Sequence, residues 1–211
     1  MADHYEVIVA GGGMTGAATA CILALGGVEV ALLDAHNPPR EWPADSTDLR
    51  VSALTRASRN IMEAIGVWES MSKRGVSAYR EMHVWDARAD GELHFDSADT
   101  EFNELGHIVE NRVTVASLWD HLETLPKAKI LCPAKVADMY MGKGCRQVIL
   151  EDGRKLEAEL VVAADGRASE LRTRAGITVI GWDYNQEGLV ATVTTRGSHR
   201  KSAWQRFLEE G

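Results

Sequence analysis

The stretch VIVAGGGMTGAATACILALGGVEVALLD, residues 7–34, decides the fold. It reads as a short strand, a glycine turn, a helix, a second strand and then an acid. Gly11, Gly13 and Gly16 supply the G-x-G-x-x-G spacing. Gly11 allows the tight turn out of the strand, Gly13 lets bare backbone approach a pyrophosphate, and Gly16 lets helix and strand pack closely. Met14 lies inside this turn, where the helix N-terminus presents unpaired N–H groups to phosphate. Ala20 and Leu23 fall on the helix face turned toward the sheet, and Val30 and Leu32 alternate before Asp34. Asp34 sits near the ~20-residue offset at which a carboxylate accepts hydrogen bonds from a ribose diol. An acid there disfavours a 2′-phosphate, which argues against NADP at this site.

Composition narrows the classes. Nothing between Glu6 and Glu29 is charged, a length able to span a bilayer, but six glycines interrupt it and a strand resumes at once. Asp3 and Glu6 stand where a signal peptide needs basic residues. The reading is a soluble, cytoplasmic chain with at most peripheral membrane contact. A formal net charge of −8 argues against nucleic acid as a partner. Cys21, Cys132 and Cys145 lack C-x-x-C spacing and read as reduced thiols, with Cys21 packed as a small hydrophobe. The seven histidines show no ligand spacing, so each reads as a surface or hydrogen-bonded residue, and no metal site is expected.

Farther along, a long irregular loop carries Pro38, Pro39 and Pro43. Helical periodicity runs from Thr55 to about Ser72 and again from Val113 to Leu125, with strand-like EMHVW and ELHF around Asp90-Gly91 between them. Ile130-Leu131, 135–141, 146–150 and 155–159 read as an antiparallel meander, with a hairpin turn at Asp152-Gly153. Leu160 to Ala164 reads as a strand buried on both faces, closed by Asp165-Gly166 before a helix near Ala168. Strands are expected at 188–195 and 203–208, with no closing helix at 209–211.

This order of fingerprint, proline loop, meander and strand–Asp-Gly–helix resembles the class A flavoprotein monooxygenases. Their second mark, D-G-x-x-S-x-x-R, is matched by Asp165, Gly166, Ser169 and Arg172. Within that superfamily the chain is similar to the aromatic-ring hydroxylases of ubiquinone biosynthesis. The carrying segments are LRVSAL (49–54), SRNIMEAIGVWE (58–69), MHVWDARADGELHFD (82–96), LGHIVENRVTVASLW (105–119) and WDYNQEGLVATV (182–193). A third mark of the family, a G-D-A-A-H-type segment, is absent, so the likeness is to the N-terminal half of such an enzyme.

The resemblance implies an α/β, Rossmann-like FAD-binding fold with a β-meander, plus the beginning of a mixed-sheet substrate domain. The division expected is 1–176 for FAD binding and 177–211 for the start of the substrate domain, whose sheet the strands near 80–97 can join. It implies FAD as cofactor, NAD(P)H as co-substrate and a prenylated phenol or benzoquinol ring as substrate, hydroxylated with O₂ through a flavin C4a-hydroperoxide. Other ubiquinone-biosynthesis proteins are implied as partners. Residue by residue, it places Gly11, Gly13, Met14, Gly16, Asp34 and Asp165 at the cofactor, with Arg50 against the flavin. Glu110 and Asn111 would enter a helix beside the flavin, although N-capping by Asn111 explains that asparagine equally well. Val136 would meet adenine through its backbone, and Arg112 has no assigned role. No catalytic side chain is named, because the flavin carries the oxygen chemistry.

The half alone is expected to have weakened FAD affinity and no hydroxylase activity, and to self-associate through exposed apolar surface. Two alternatives stay open on the sequence: a noncatalytic interaction module of a quinone-synthesis assembly, and an NAD-dependent reductase sharing only the first fingerprint.

Overall fold

A computed structural model describes residues 3–88, 90–142 and 144–208, which leaves the expectation for 209–211 outside the described residues. In chain order the elements are β1 (Asp3–Ala10), α1 (Met14–Leu25), β2 (Val30–Leu33), β3 (Val51–Leu54), α2 (Arg56–Ala64), α3 (Trp68–Arg74) and β4 (Ser77–Tyr79). There follow β5 (Glu81–Asp86), β6 (Glu92–Asp96), β7 (Gly106–Glu110), α4 (Asn111–Thr124), β8 (Ala128–Leu131) and β9 (Val136–Met141). The last are β10 (Arg146–Leu150), β11 (Lys155–Ala163), α5 (Glu170–Arg174) and β12 (Ser202–Phe207).

A six-stranded sheet in the order β8-β2-β1-β11-β10-β9 forms the centre. Its first four strands are mutually parallel, and β10 and β9 are antiparallel additions. Alternation along the strands divides the core. Val7, Val9, Val30 and Leu32 face α1 and α4, where they meet Ala17, Ala20, Cys21, Leu118, Trp119 and Leu122. Ile8, Ala31 and Leu33 face the opposite way, toward Val148, Leu150, Leu156 and Ala158. β2 is thus buried on both faces, as an inner parallel strand must be. Cys21 is fully buried, and burial pushes its thiol up to about 12, so it packs as a small hydrophobe.

Four expectations are corrected. Residues 55–72 form two helices, because Gly66 leaves α2 at a φ of +79° that ends the helical run before α3 begins. Ile130-Leu131 belongs to β8, which pairs in parallel with β2 and not with the meander. Residues 155–163 are one strand, β11, and Leu160 on it is 54% exposed, because α1 and α4 pack mainly against β1, β2 and β8. Residues 188–195 have no strand structure, and Leu189 there is 98% exposed. Apolar alternation does not make a strand where no neighbouring strand pairs with it.

Two smaller sheets flank the centre. One has the order β3-β7-β4, entirely antiparallel. The other, β12-β5-β6, pairs the EMHVW and ELHF segments with each other and adds β12 in parallel along β5.

Candidate functional site: a cleft at the strand ends

Three loops meet at the carboxyl ends of β1, β2 and β11. The chain leaves β1 at Gly11, leaves β2 at Asp34 and leaves β11 at Ala164-Asp165. β1 lies between the other two, so connections depart to opposite sides at this point, where open α/β sheets leave a crevice for ligands. Backbone bonds lock the junction: Gly11 N–H donates to Leu33 O at 2.8 Å, and Ala164 N–H donates to Ala10 O at 2.8 Å. The resulting cleft is about 890 Å³, within the ~300–1,000 Å³ usual for cofactor sites.

The glycines of the turn have distinct roles. Gly11 has φ +107°, and a side chain there would meet the carbonyl oxygen of Ala164 at 2.3 Å. A side chain at Gly16 would lie 1.9 Å from Gly11 O, so this glycine permits the close approach of α1 to the strand end. Gly13 differs. A Cβ there would meet nothing within 4 Å, only open cleft. Gly13 is also the N-cap of α1, and no side chain caps that helix. The free N–H groups of the first turn and the helix dipole are therefore available to an anion.

Asp34 stands beside that turn. Its Oδ2 accepts from Gly12 N–H at 2.6 Å and its Oδ1 from His36 N–H at 2.9 Å. A carboxylate has about four acceptor positions, so two fixed bonds orient it and leave capacity for a diol. The cations lining the cleft, Lys135 and Arg174, are paired with Glu151 and Asp138 at 2.7 and 3.1 Å. The backbone amides of the α1 turn are the donors left for a pyrophosphate.

The second motif is a self-bonded turn. Gly166 takes φ +87°, and Ser169 Oγ caps α5 by accepting from Arg172 N–H at 3.0 Å while donating to Asp165 Oδ1 at 2.5 Å. Asp165 Oδ2 accepts from Leu171 N–H at 3.2 Å, and Arg172 Nη2 reaches Arg167 O at 2.9 Å. Burial pushes the Asp165 carboxyl up, but the bonds from Ser169 and nearby backbone N–H groups outweigh it and hold it below the ordinary value. Its carboxylate is engaged locally, so Asp165 meets the cleft as part of a rigid rim.

Gly11, Gly13, Asp34, Val136 and Asp165 all line the cleft. Met14 and Gly16 belong to α1 behind the turn. Arg50 and Asn111 lie elsewhere, together at the β3–β7 pair, where Asn111 N–H donates to Arg50 O at 2.9 Å. The N-capping alternative for Asn111 is corrected: Glu110 occupies the N-cap, and Asn111 Oδ1 instead accepts from Ser52 Oγ at 2.7 Å.

Residues missed by the sequence reading brace the site. Trp119 of α4, buried in the core, donates its indole N–H to Gly12 O at 2.7 Å. The proline loop is held by arginines. Arg40 bonds Asp120 and Glu123 of α4 at 2.6 and 2.7 Å and lies over the Trp119 ring. Arg74 bonds Arg40 O and Asp120. Arg112 bonds Ser46 O at 2.5 Å and Glu110 at 2.6 Å, which makes it a loop anchor.

The match to the FAD binding domain family runs over residues 4–206. The chain belongs to that family. Among curated proteins it is 33% identical over 207 residues to 3-demethoxyubiquinol 3-hydroxylase of Escherichia coli, covering 98% of this chain and 52% of that protein. It is also 33% identical over 206 residues to ubiquinone hydroxylase UbiL of Rhodospirillum rubrum, covering 98% and 47%. The chain thus spans about half the length of the curated relatives it matches. The resemblance to ubiquinone-biosynthesis hydroxylases extends along the chain, well beyond the first fingerprint. Among solved structures, pqsL, a probable FAD-dependent monooxygenase from Pseudomonas aeruginosa, superimposes with a TM-score of 0.67 at 24% identity, covering 85% of this chain and 47% of that one. The p-nitrophenol 4-monooxygenase PnpA from Pseudomonas putida gives 0.68 at 21% identity, covering 83% and 44%. These two likenesses establish the class A monooxygenase fold.

Proposed function

We propose that this chain forms the FAD-binding portion of a monooxygenase that hydroxylates a prenylated phenol or benzoquinol ring in ubiquinone biosynthesis, with NAD(P)H as reductant. The observation that carries the reading is the convergence of Gly13, Asp34 and the 165–166 turn on one cleft, in a chain whose relatives are named as ubiquinone hydroxylases.

The residues fit the cofactor. The α1 turn, with Met14 and Thr15 following Gly13, offers N–H groups to the pyrophosphate. Asp34 would accept from the adenosine ribose, each such bond to a charged group contributing roughly 1.5–3 kcal/mol. Val136 offers backbone at the adenine end. Arg50 and Asn111, joined through their backbones, would meet the flavin end. When bound, FAD supplies the activation of O₂, and the protein's share is to bind, orient and exclude water.

The 211 residues alone bind FAD and do not hydroxylate. Their exposed apolar residues, including Ile180, Trp182, Leu189 and Val193, make them self-associate and are the surface for other proteins of the pathway. β12 with β5 and β6 begins the substrate-domain sheet. Among the described residues no helix is long and apolar enough to cross a membrane, and a greasy substrate is met by peripheral contact from the cytoplasmic side.

Competition between FAD and NAD for the purified chain tests the cofactor, with FAD expected to bind more tightly. Preference for NAD would contradict the reading and favour a reductase. For the substrate, residues 1–211 can replace the matching half of the Escherichia coli relative. Restored ring hydroxylation supports the reading, whereas a folded, flavin-loaded chimera without product contradicts it.

A further inference from the structure

The sheet β12-β5-β6 carries a side-chain cluster outside the cleft. His83 of β5 and His94 of β6 are cross-strand partners, and Glu81 lies two residues before His83 on the same face. The two imidazole rings stack at 4.2 Å and 16°, and Trp204 of β12 stacks on His83 at 4.0 Å and 7°. His83 Nε2 lies 3.5 Å from Glu81 Oε2, and His94 Nε2 lies 3.8 Å from that same oxygen.

From these positions we infer a binding site for a divalent transition-metal ion of the zinc class, held by Glu81, His83 and His94. Zinc bonds to imidazole nitrogen and carboxylate oxygen are about 2.0–2.2 Å long, which sets the edge of a tetrahedral site at roughly 3.4 Å. The two distances to Glu81 Oε2 are close to that edge, and the three donor atoms all lie within 4.8 Å of one another. To bring its lone pair to the common point, the His94 ring, the more exposed of the pair, rotates out of its stack on His83.

The surroundings suit ligation. His83 Nδ1 lies 2.8 Å from Glu92 Oε1. A proton donated there leaves Nε2 with its lone pair, the carboxylate–histidine arrangement that orients metal-bound imidazoles. Ser202 Oγ, 3.3 Å from Glu81 Oε2, steadies the carboxylate from β12. Three protein ligands leave a fourth position for water. The ion would join β5 to β6 in a three-stranded sheet, where binding to the folded state alone adds stability by mass action. The sequence reading expected no metal, because this triad is assembled across the Asp90-Gly91 hairpin and has no linear spacing.

The untagged 211-residue protein can be titrated with Zn²⁺ by calorimetry and with Co²⁺ by visible absorption. One saturating equivalent is expected, with intense tetrahedral Co²⁺ bands and a melting temperature raised by Zn²⁺. His94→Asn and Glu81→Gln should each weaken binding at least tenfold and abolish the thermal shift. His36→Asn, at the cleft, should leave it unchanged. Both site substitutions lie on an exposed or half-exposed face, and circular dichroism confirms that the variants remain folded. Absence of saturable binding, or binding undiminished in His94→Asn and Glu81→Gln, would overturn the assignment.

Discussion

Trp119 and Gly12 share one small volume: the indole N–H donates to the Gly12 carbonyl at 2.7 Å, and the ring lies 2.4 Å from where a Cβ at residue 12 would stand. The bond ties the glycine turn to the centre of α4. Trp119→Phe keeps most of the packing but leaves a buried carbonyl unpaired, at a cost of about 1–3 kcal/mol. Denaturant unfolding should show that loss, and FAD affinity should fall with it. An unchanged affinity would show that the turn holds its shape without the brace.

Asp34→Ala removes the proposed ribose acceptor and the two backbone bonds that orient it. Loss of one charge-assisted bond of roughly 1.5–3 kcal/mol predicts a fall in FAD affinity of about ten- to a hundredfold. Fluorescence titration of Asp34→Ala against the parent reads this directly, and equal affinities would remove Asp34 from the cofactor site.

Arg40 ties the proline loop to α4 through Asp120 and Glu123. Partly exposed ion pairs and a cation–π contact contribute about 1 kcal/mol. Arg40→Ala should therefore lower stability only slightly, yet speed proteolytic cleavage between residues 35 and 50. Cleavage at the parent rate would mean that Arg74 and Arg112 suffice to hold the loop.

His107 supplies a pH signature. It is 6% exposed, sits edge-on to Trp68 at 4.9 Å, and its Nδ1 is buried with no hydrogen-bond partner among the described residues. Burial lowers its pKa below the ordinary value; Glu104 and Glu63 act to raise it by less, and Arg59 and Arg56 add to the lowering. The unfolded chain then takes up the proton first, near pH ~6.5. Stability is full above that value and declines as pH falls toward the lowered folded value. The melting temperature should drop between pH ~7 and ~5, and His107→Phe should flatten that part of the profile. A slope unaltered by the substitution would assign the drop to other groups.

The sequence foretold the parts of the fold governed by local chemistry. The glycine turn, Asp34 and the Asp165–Arg172 segment are short-range arrangements with fixed spacing, and each appears where its residues predict. Long-range contacts were not legible. Nothing local distinguishes 160–163 as the second half of β11, or says that α1 and α4 pack mainly against β1, β2 and β8. Apolar alternation at 188–195 suggested a strand, but no partner pairs with it. The scattered histidines predict surface or hydrogen-bonded rings, whereas His107 and His121 each bury a ring nitrogen without a partner among the described residues. Trp119 gave no signal either, because its bond spans from residue 119 back to residue 12. A tryptophan on the helix that packs against a glycine-rich turn is the clue that could have found it.

The most direct test is FAD titration of the parent and of Gly13→Val, with a thermal melt of each. The space around Gly13 is open and its φ of −66° suits any residue, so valine should fold and melt like the parent while blocking the cofactor. Saturable binding to the parent, lost in Gly13→Val at unchanged melting temperature, is the predicted result. FAD bound equally by both proteins, or by neither, would contradict the claim that this cleft holds the cofactor.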